Sequence, residues 1–192
     1  TSPNFVIFYV DDLGWADTSV RMIDDAPLSR SDFNQTLALE KLARQGVRFT
    51  SGYAPTPTCT GSRISIQFGK TSARLHYRHV FDVLSKIQRP QGWDDEISMA
   101  GVLKAVNKGY VTAHFGKGMN VRRMDHAGYD VTDELDQASN GNGHGRYIDV
   151  KKRIPIPDDS PKRIVDLTKR SVDFVKEHAG ERPFFLMVSH YA

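Results

Sequence analysis

Residues 4–12 read NFVIFYVDD, and this stretch decides the fold. After Asn4 every side chain up to Val10 is apolar, aromatic or β-branched, and the paired carboxylates Asp11 and Asp12 end the run. A continuous run of this kind predicts a strand buried on both faces, which is typical of a parallel sheet covered by helices. We therefore predict a β-strand over residues 4–10 and an acidic pair at its carboxyl end.

Helical and extended patterns alternate along the rest of the chain. Helical spacing predicts a helix that ends at Gly46, a second over residues 98–107, and a third with Ser160 as its cap and Pro161 in its first turn. Extended patterns cover residues 47–53, 110–115 and 184–188, and a polar excursion runs over residues 128–158. The alternation predicts an α/β fold, with a mostly parallel or mixed central sheet and helices on both faces.

Ligands of such sheets bind beyond the carboxyl ends of the strands. Three places have that position: Asp11-Asp12, the turn at Lys117, and the residues after Val188. Two adjacent carboxylates repel each other unless a cation lies between them, so Asp11 and Asp12 are candidate ligands of a hard metal ion. The alternative is a turn in which one carboxylate caps a helix and the other is solvated.

Cys59 is the only cysteine, and it lies between a proline-rich loop and the segment Gly61-Ser62-Arg63. A helix that begins near Cys59 would direct backbone N–H groups and its dipole toward negative charge there. Arg63, one turn later, would lie on the same side and add a fork suited to a tetrahedral oxyanion. The alternative is a capped helix start with a buried thiol.

Composition narrows the functional class. Lys and Arg number 26 against 23 Asp and Glu, a formal charge of +3 without a long basic run, so we predict no nucleic-acid partner. We also predict no membrane span, because no apolar stretch approaches the roughly 20 residues that a bilayer requires. A single thiol cannot form an internal disulfide. The first residues, TSPN, show no secretory signal.

Taken together, the motifs resemble the formylglycine-dependent sulfatase family of the alkaline-phosphatase-like superfamily. Residues 4–17 (NFVIFYVDDLGWAD) resemble its opening, and CTGSR at 59–63, followed by GKT at 69–71 and by Arg74, resembles its Cys-x-Pro-Ser-Arg signature and downstream element. Gly116-Lys117 matches its third motif, and PFFL at 183–186 matches the strand before its catalytic histidine. The resemblance implies an α/β/α sandwich, truncated here, with residues 1–192 as the N-terminal part of a catalytic domain whose remainder and C-terminal subdomain are absent.

The resemblance also implies a chemistry. Asp11, Asp12 and the oxidised Cys59 would bind calcium, and Cys59 would become formylglycine, an aldehyde that hydrates to a geminal diol. One diol oxygen would attack the sulfate sulfur and release the alcohol, and the second hydroxyl would then expel sulfate. Arg63 would hold the formylglycine and Lys117 a sulfate oxygen. The implied partners are a sulfated carbohydrate and a formylglycine-generating or anaerobic sulfatase-maturing enzyme, in a periplasmic or secreted location.

Three departures from the family pattern leave alternatives open. Gly61 stands where the family has Pro or sometimes Ala, in the pentapeptide that the maturing enzyme reads. Met119 stands where the family has a histidine that helps to activate the diol, and a thioether cannot transfer protons. His114 is close in sequence, but we do not assign it that role. The chain ends at Ala192, before the histidine that protonates the leaving group, and His190 lies too early to be that acid.

Three functional hypotheses follow. The first is a sulfatase that acts on carbohydrate sulfates, with Cys59, Arg63 and Lys117 as catalytic residues. The second is a phosphonate or phosphate monoester hydrolase of the same superfamily. The third, which Gly61 and Met119 motivate, is a non-catalytic homologue that binds sulfated glycans.

Overall fold

The computed structural model describes residues 2–77, 95–119, 124–133, 147–149, 154–155 and 162–191. The chain divides into two compact units. One consists of residues 1–11 and 55–192 and contains the sheets, and the other consists of residues 12–54. The smaller unit contains a 3-10 turn, Pro27–Ser29, and helix α1, Leu37–Gln45.

A parallel four-stranded sheet organises the larger unit, with the strand order β1-β6-β2-β3. A separate antiparallel pair joins β4 to β5. The described strands are, in chain order, β1 Phe5–Asp11, β2 Val111–Gly116, β3 Val131–Thr132, β4 Tyr147–Asp149, β5 Ile154–Pro155 and β6 Phe184–Tyr191. Asp11 pairs with Tyr191 and Gly116 pairs with Ser189, so β1, β2 and β6 end at one edge.

Helices cover both faces of this sheet. In the larger unit they are α2 Cys59–Phe68, α3 Met99–Val106 and α4 Ile164–His178. Side chains of β6 alternate between two cores, since Phe185 and Met187 pack with residues of α2 and α3, whereas Leu186 and Val188 pack with residues of α4. The predicted α/β fold, with helices on both faces of the sheet, is therefore confirmed.

The elements follow local sequence chemistry. The Ser98 hydroxyl caps α3 by accepting a hydrogen bond from the Gly101 N–H at 3.1 Å. Helix α2 ends at Gly69 in the left-handed conformation, where glycine is favoured. The first two predicted helices and the strands predicted over residues 4–10, 110–115 and 184–188 are confirmed, with boundaries shifted by up to three residues.

Some predictions were wrong in detail. Strand β1 is not buried on both faces, because Phe5, Val6 and Phe8 are 42%, 56% and 58% exposed. It pairs only with β6 among the described residues, which makes it an edge strand of this sheet. Residues 47–53 form no strand.

Two helices also differ from the prediction. Helix α4 begins at Ile164, and the expected cap and first-turn residues, Ser160 and Pro161, lie outside the described residues. In α3, Met99 and Leu103 pack on the core, but Val102 and Val106 from the same predicted face are exposed.

Candidate active site

The carboxylate of Asp11 is the centre of a buried ion cluster at the carboxyl end of β1. The Arg63 guanidinium donates to Oδ1 through Nε at 3.2 Å, its Nη2 lies 3.0 Å from the same oxygen as an ion pair, and the Lys117 ammonium binds Oδ2. The side chains of Asp11, Arg63 and Lys117 are 5%, 2% and 3% exposed. Three residues that are far apart in sequence thus meet at one site. For Asp11 and Lys117 this meeting was predicted, because each follows the carboxyl end of a strand.

The turn after β2 presents Lys117 to this cluster. Gly116 has φ +93, and a β-carbon there would collide with the Ser189 carbonyl oxygen, so glycine is required. The Lys117 N–H donates to that carbonyl at 3.2 Å, and the Arg63 guanidinium donates to the Lys117 carbonyl. Backbone and side chain of Lys117 are therefore both tied to neighbouring elements.

Helix α2 places Cys59 and Arg63 one turn apart, as predicted. Cys59 is the first helical residue, where N–H groups lack carbonyl partners within the helix and the dipole favours negative charge. Its thiol is partly exposed and lies 3.9 Å from the Thr60 hydroxyl. Arg63 binds Asp11 and the Lys117 carbonyl, contacts that the prediction for Arg63 had not included.

Tyr9 is a member of the site that the sequence did not reveal. It precedes Asp11 by two residues in β1, and the Arg63 guanidinium lies over its ring, 5.0 Å from the centroid. Burial raises the pKa of the Tyr9 hydroxyl, Arg63 lowers it, and the charges of Asp11 and Cys59 add to the rise. The two-residue period of the strand was the available signal, because it places Tyr9 and Asp11 on one face.

The histidines near the site are buried in the fold. Burial and the charge of Arg63 lower the pKa of His114 to about 3, so the ring is neutral, with Nε2 3.3 Å from the Ser189 hydroxyl. The His190 ring lies 5.0 Å from that of Phe8, and burial lowers its pKa as well. Met119 is 1% exposed in the core on the α2 side.

The predicted metal ligands Asp11 and Asp12 lie in different surroundings. Asp11 offers the carboxylate oxygens that calcium prefers, but both already bind cations of this chain. Asp12 is exposed, has φ 60 and belongs to the smaller unit. Within the described ranges, no group of three or more His, Cys, Asp or Glu side chains could hold a metal ion. Calcium binding by Asp11 and Asp12 therefore stays a prediction.

A comparison with protein families assigns this architecture. The family model described as Sulfatase matches residues 3–192. The chain belongs to the sulfatase family. The resemblance of the motifs around Asp11, Cys59 and Lys117 is thereby confirmed at the level of the family.

Curated sulfatases share this N-terminal region. Arylsulfatase G of Mus musculus is 35% identical over 115 residues, which are 60% of this chain and 19% of the relative. Arylsulfatase A of Homo sapiens is 34% identical over 116 residues, 60% of this chain and 20% of the relative. Steryl-sulfatase of Mus musculus is 34% identical over 122 residues, 60% of this chain and 17% of the relative. Each match thus covers about a fifth of the curated relative.

Solved structures support the sulfatase fold. BT4656 in complex with its substrate D-glucosamine-2-N,6-O-disulfate superposes with a TM-score of 0.67 at 19% identity, covering 98% of this chain and 34% of that protein. Ps i-CgsB in complex with k-i-k-neocarrahexaose gives a TM-score of 0.64 at 21% identity, covering 100% and 45%. No helix among the described residues is long and apolar enough to cross a membrane.

Proposed function

We propose that this protein hydrolyses sulfate esters, with Cys59, Arg63 and Lys117 as its catalytic residues. The observation that carries the proposal is the buried Asp11–Arg63–Lys117 cluster at the sheet edge, beside the helix that begins with Cys59. Residues 1–192 would be the N-terminal part of a sulfatase catalytic domain, and the activity belongs to the whole protein.

The cluster carries an excess of positive charge. Arg63 and Lys117 contribute two cations and Asp11 one anion, and all three side chains are almost completely buried. Two cationic side chains that lie together at the end of a strand favour the binding of an anion there. A sulfate ester carries one negative charge and several acceptor oxygens, which suit a guanidinium and an ammonium group.

Cys59 has the position of the nucleophile. Formylglycine, in hydrated form, supplies a hydroxyl nucleophile for the sulfate sulfur. The N-terminus of α2 favours the negative charge that such a hydroxyl develops, and Arg63 lies one turn along the same helix. Lys117 binds a sulfate oxygen and stabilises the charge that forms there during attack.

Calcium is the proposed metal, with Asp11 and Asp12 as its ligands from this part of the chain and Cys59 as a third ligand in modified form. Calcium takes six to eight oxygen ligands, so Asp11, Asp12 and the modified Cys59 would supply only part of the set. With calcium near Asp11, Lys117 would be available for the substrate. Titration of the whole protein with calcium should show binding that is weakened in Asp11→Asn.

Carbohydrate sulfates are the proposed substrate class. BT4656 and Ps i-CgsB, which share the fold, were solved in complex with D-glucosamine-2-N,6-O-disulfate and k-i-k-neocarrahexaose, respectively. The proposed partner is a formylglycine-generating or anaerobic sulfatase-maturing enzyme, and the proposed location is periplasmic or secreted. No nucleic-acid partner is proposed, because the charge is nearly balanced.

Parallel assays of an aryl sulfate and an aryl phosphate test the reaction class. The whole protein is expressed with the maturing enzyme, and we expect turnover of the sulfate to exceed that of the phosphate. Lys117→Met should lower turnover of the sulfate by about 10²- to 10³-fold, because one charge-stabilising contact is lost. Lys169→Met is the matched control, since Lys169 pairs with Asp173 on the exposed side of α4.

Faster turnover of the phosphate ester would favour the phosphonate or phosphate monoester hydrolase. Equal activity of Lys117→Met and the unaltered protein would contradict the role of Lys117.

A second candidate function is a non-catalytic protein that binds sulfated glycans. The observation that favours it is Met119, which is buried in the core where the family has a histidine. Glycan binding without turnover in Met119→His, with formylglycine present at position 59, would favour this candidate over the enzyme.

A further inference from the structure

A buried carboxylate holds the end of β2 directly before Lys117. Asp133 accepts a hydrogen bond from the Gly116 N–H at 3.1 Å and another from Arg163 Nη1 at 3.2 Å. The Asp133 and Arg163 side chains are 8% and 0% exposed. The backbone group that Asp133 binds is thus one residue away from the proposed sulfate-binding lysine.

Arg163 depends on this carboxylate. A guanidinium with no exposed surface requires nearby negative charge, which Asp133 and, at 2.5 Å, Asp166 provide. Arg163 directly precedes α4 and has φ 58, a conformation that is unfavourable for a residue with a side chain. The ion pair therefore joins the start of α4 to the end of β2.

Asp130 makes a similar contact at the other end of β2. It accepts hydrogen bonds from the Thr112 N–H at 2.9 Å and the Thr112 hydroxyl at 3.0 Å, and it pairs with Lys104 at 2.7 Å. This second carboxylate is partly exposed and lies at the opposite end of the strand from the site. Strand β2 is thus bound by an aspartate at each end, but only Asp133 adjoins the active-site turn.

We propose that Asp133 and Arg163 are positioning residues that fix the Gly116–Lys117 turn and thereby the position of the Lys117 ammonium group. The role of the lysine rests on the proposed function, whereas the effect on the turn does not. The Lys117 N–H donates to the Ser189 carbonyl and the Lys117 carbonyl accepts from Arg63, and Asp133 adds a contact at the Gly116 N–H. Small displacements of a binding group cause large losses in affinity or rate.

The test compares Asp133→Asn with Asp130→Asn in the whole protein. Asparagine keeps an acceptor oxygen but removes one of the two negative charges that pair with Arg163. In Asp133→Asn we expect hydrogen exchange at the Gly116 and Lys117 amides to accelerate at least about tenfold, and the Kd for inorganic sulfate to rise by a similar factor. In Asp130→Asn we expect faster exchange at Thr112, with an unchanged Kd for sulfate.

A double variant separates positioning from general stability. Replacing Arg163 with Met in Asp133→Asn removes a buried cation that has lost one of its two carboxylate contacts, so we expect thermal stability to recover in part while the sulfate affinity stays low. If Asp133→Asn alone does not fold, this double variant is compared with Asp130→Asn. Wild-type exchange at Gly116 and Lys117 in these Asp133 variants would overturn the proposal, as would an equal loss of sulfate affinity in Asp130→Asn.

The two proposals fail in different ways. If the unaltered protein binds no sulfate and hydrolyses no sulfate ester, the proposed function fails. Amide exchange at Gly116 and Lys117 then still decides whether Asp133 and Arg163 hold the turn.

Discussion

Asp11 balances two buried cations, so its charge matters more than that of any exposed aspartate. Arg63 and Lys117 occupy its two oxygens, and neither cation has appreciable contact with solvent. Loss of one partner from a buried ion cluster leaves uncompensated charge in a medium of low polarity. The same carboxylate therefore stabilises the fold and holds the two cations close together.

Asp11→Asn should lower the free energy of unfolding by about 3–5 kcal/mol, because two buried cations lose their counter-charge. Urea denaturation of the whole protein measures the loss. Asp24→Asn is the control, since Asp24 pairs with Arg48 on the surface at 3.0 Å and should change stability by less than about 1 kcal/mol. Similar stability of Asp11→Asn and Asp24→Asn would mean that the cluster does not contribute as described.

His114 makes stability depend on pH. The pKa of His114 is about 3 in the folded protein, against an ordinary value of 6.5 that we take for the unfolded chain. Below pH 6.5 the unfolded chain therefore binds a proton that the folded protein does not. Stability from this group is complete above pH 6.5 and is lost as the pH falls toward 3. Between pH 7.5 and pH 5 the loss should be about 2 kcal/mol.

Unfolding measurements at pH 7.5 and pH 5 test this expectation. The free energy of unfolding should differ between the two pH values by about 2 kcal/mol less in His114→Gln than in the unaltered protein. A smaller pH dependence should remain in this variant, because burial also lowers the pKa of His190. An undiminished pH dependence in His114→Gln would contradict the neutral, buried state of this ring.

Sequence reasoning located some of these residues and missed others for a physical reason. Asp11 and Lys117 could be predicted because each follows a strand, and parallel strands bring their carboxyl ends to one edge. Asp133 and Arg163 are 30 residues apart, and no periodic pattern connects them. Burial of an ion pair depends on the assembled fold, so the sequence around Asp133 and Arg163 did not indicate that these two residues pair.

At the level of elements, the start of α2 has room for Gly61, which stands where the sulfatase family has proline. A β-carbon at this position would lie 2.6 Å from the Thr56 hydroxyl oxygen and 3.1 Å from its methyl carbon. The same hydroxyl donates to the Thr58 carbonyl at 3.0 Å, so the Thr56 side chain is held in place. Thr56 thus occupies the space that the proline of the family motif would need.

A double-mutant cycle tests this coupling. Gly61→Ala would normally stabilise a helix by up to about 1 kcal/mol, but here it should destabilise the protein because of Thr56. In the background of Thr56→Ala the same change should be neutral or stabilising, with a coupling energy of about 1 kcal/mol or more in urea denaturation. Additive effects would contradict the contact. Restoring proline at position 61 should likewise require Thr56→Ala.

The presence of the strands and helices was predicted better than the exposure of their side chains and the contacts at their ends. Apolar runs identified β1, β2 and β6, because a short run of apolar and β-branched residues favours a strand both at the edge and in the middle of a sheet. The exposure of Phe8 and Val6 in β1 was missed, because a sequence pattern does not specify whether a strand has one neighbour or two. The N-cap of α4 was missed because Arg163 is held by tertiary ion pairs and has no sequence signature of a cap.

For the whole molecule, the order β1-β6-β2-β3 explains how one site forms from distant segments. Strand β6 lies between β1 and β2, so Asp11 and the Lys117 turn flank its carboxyl end. Helix α2 then adds Arg63 and begins at Cys59. The alternation of strands and helices in the sequence predicted this layered fold.

The most direct test of the account is the rate of sulfate release from an aryl sulfate as a function of the fraction of Cys59 that carries formylglycine. Peptide mass gives that fraction in preparations of the whole protein with different amounts of the maturing enzyme. We expect the rate to rise in proportion to the converted fraction and to vanish in Cys59→Ala. A rate that is independent of conversion, or absent at full conversion, would contradict the account.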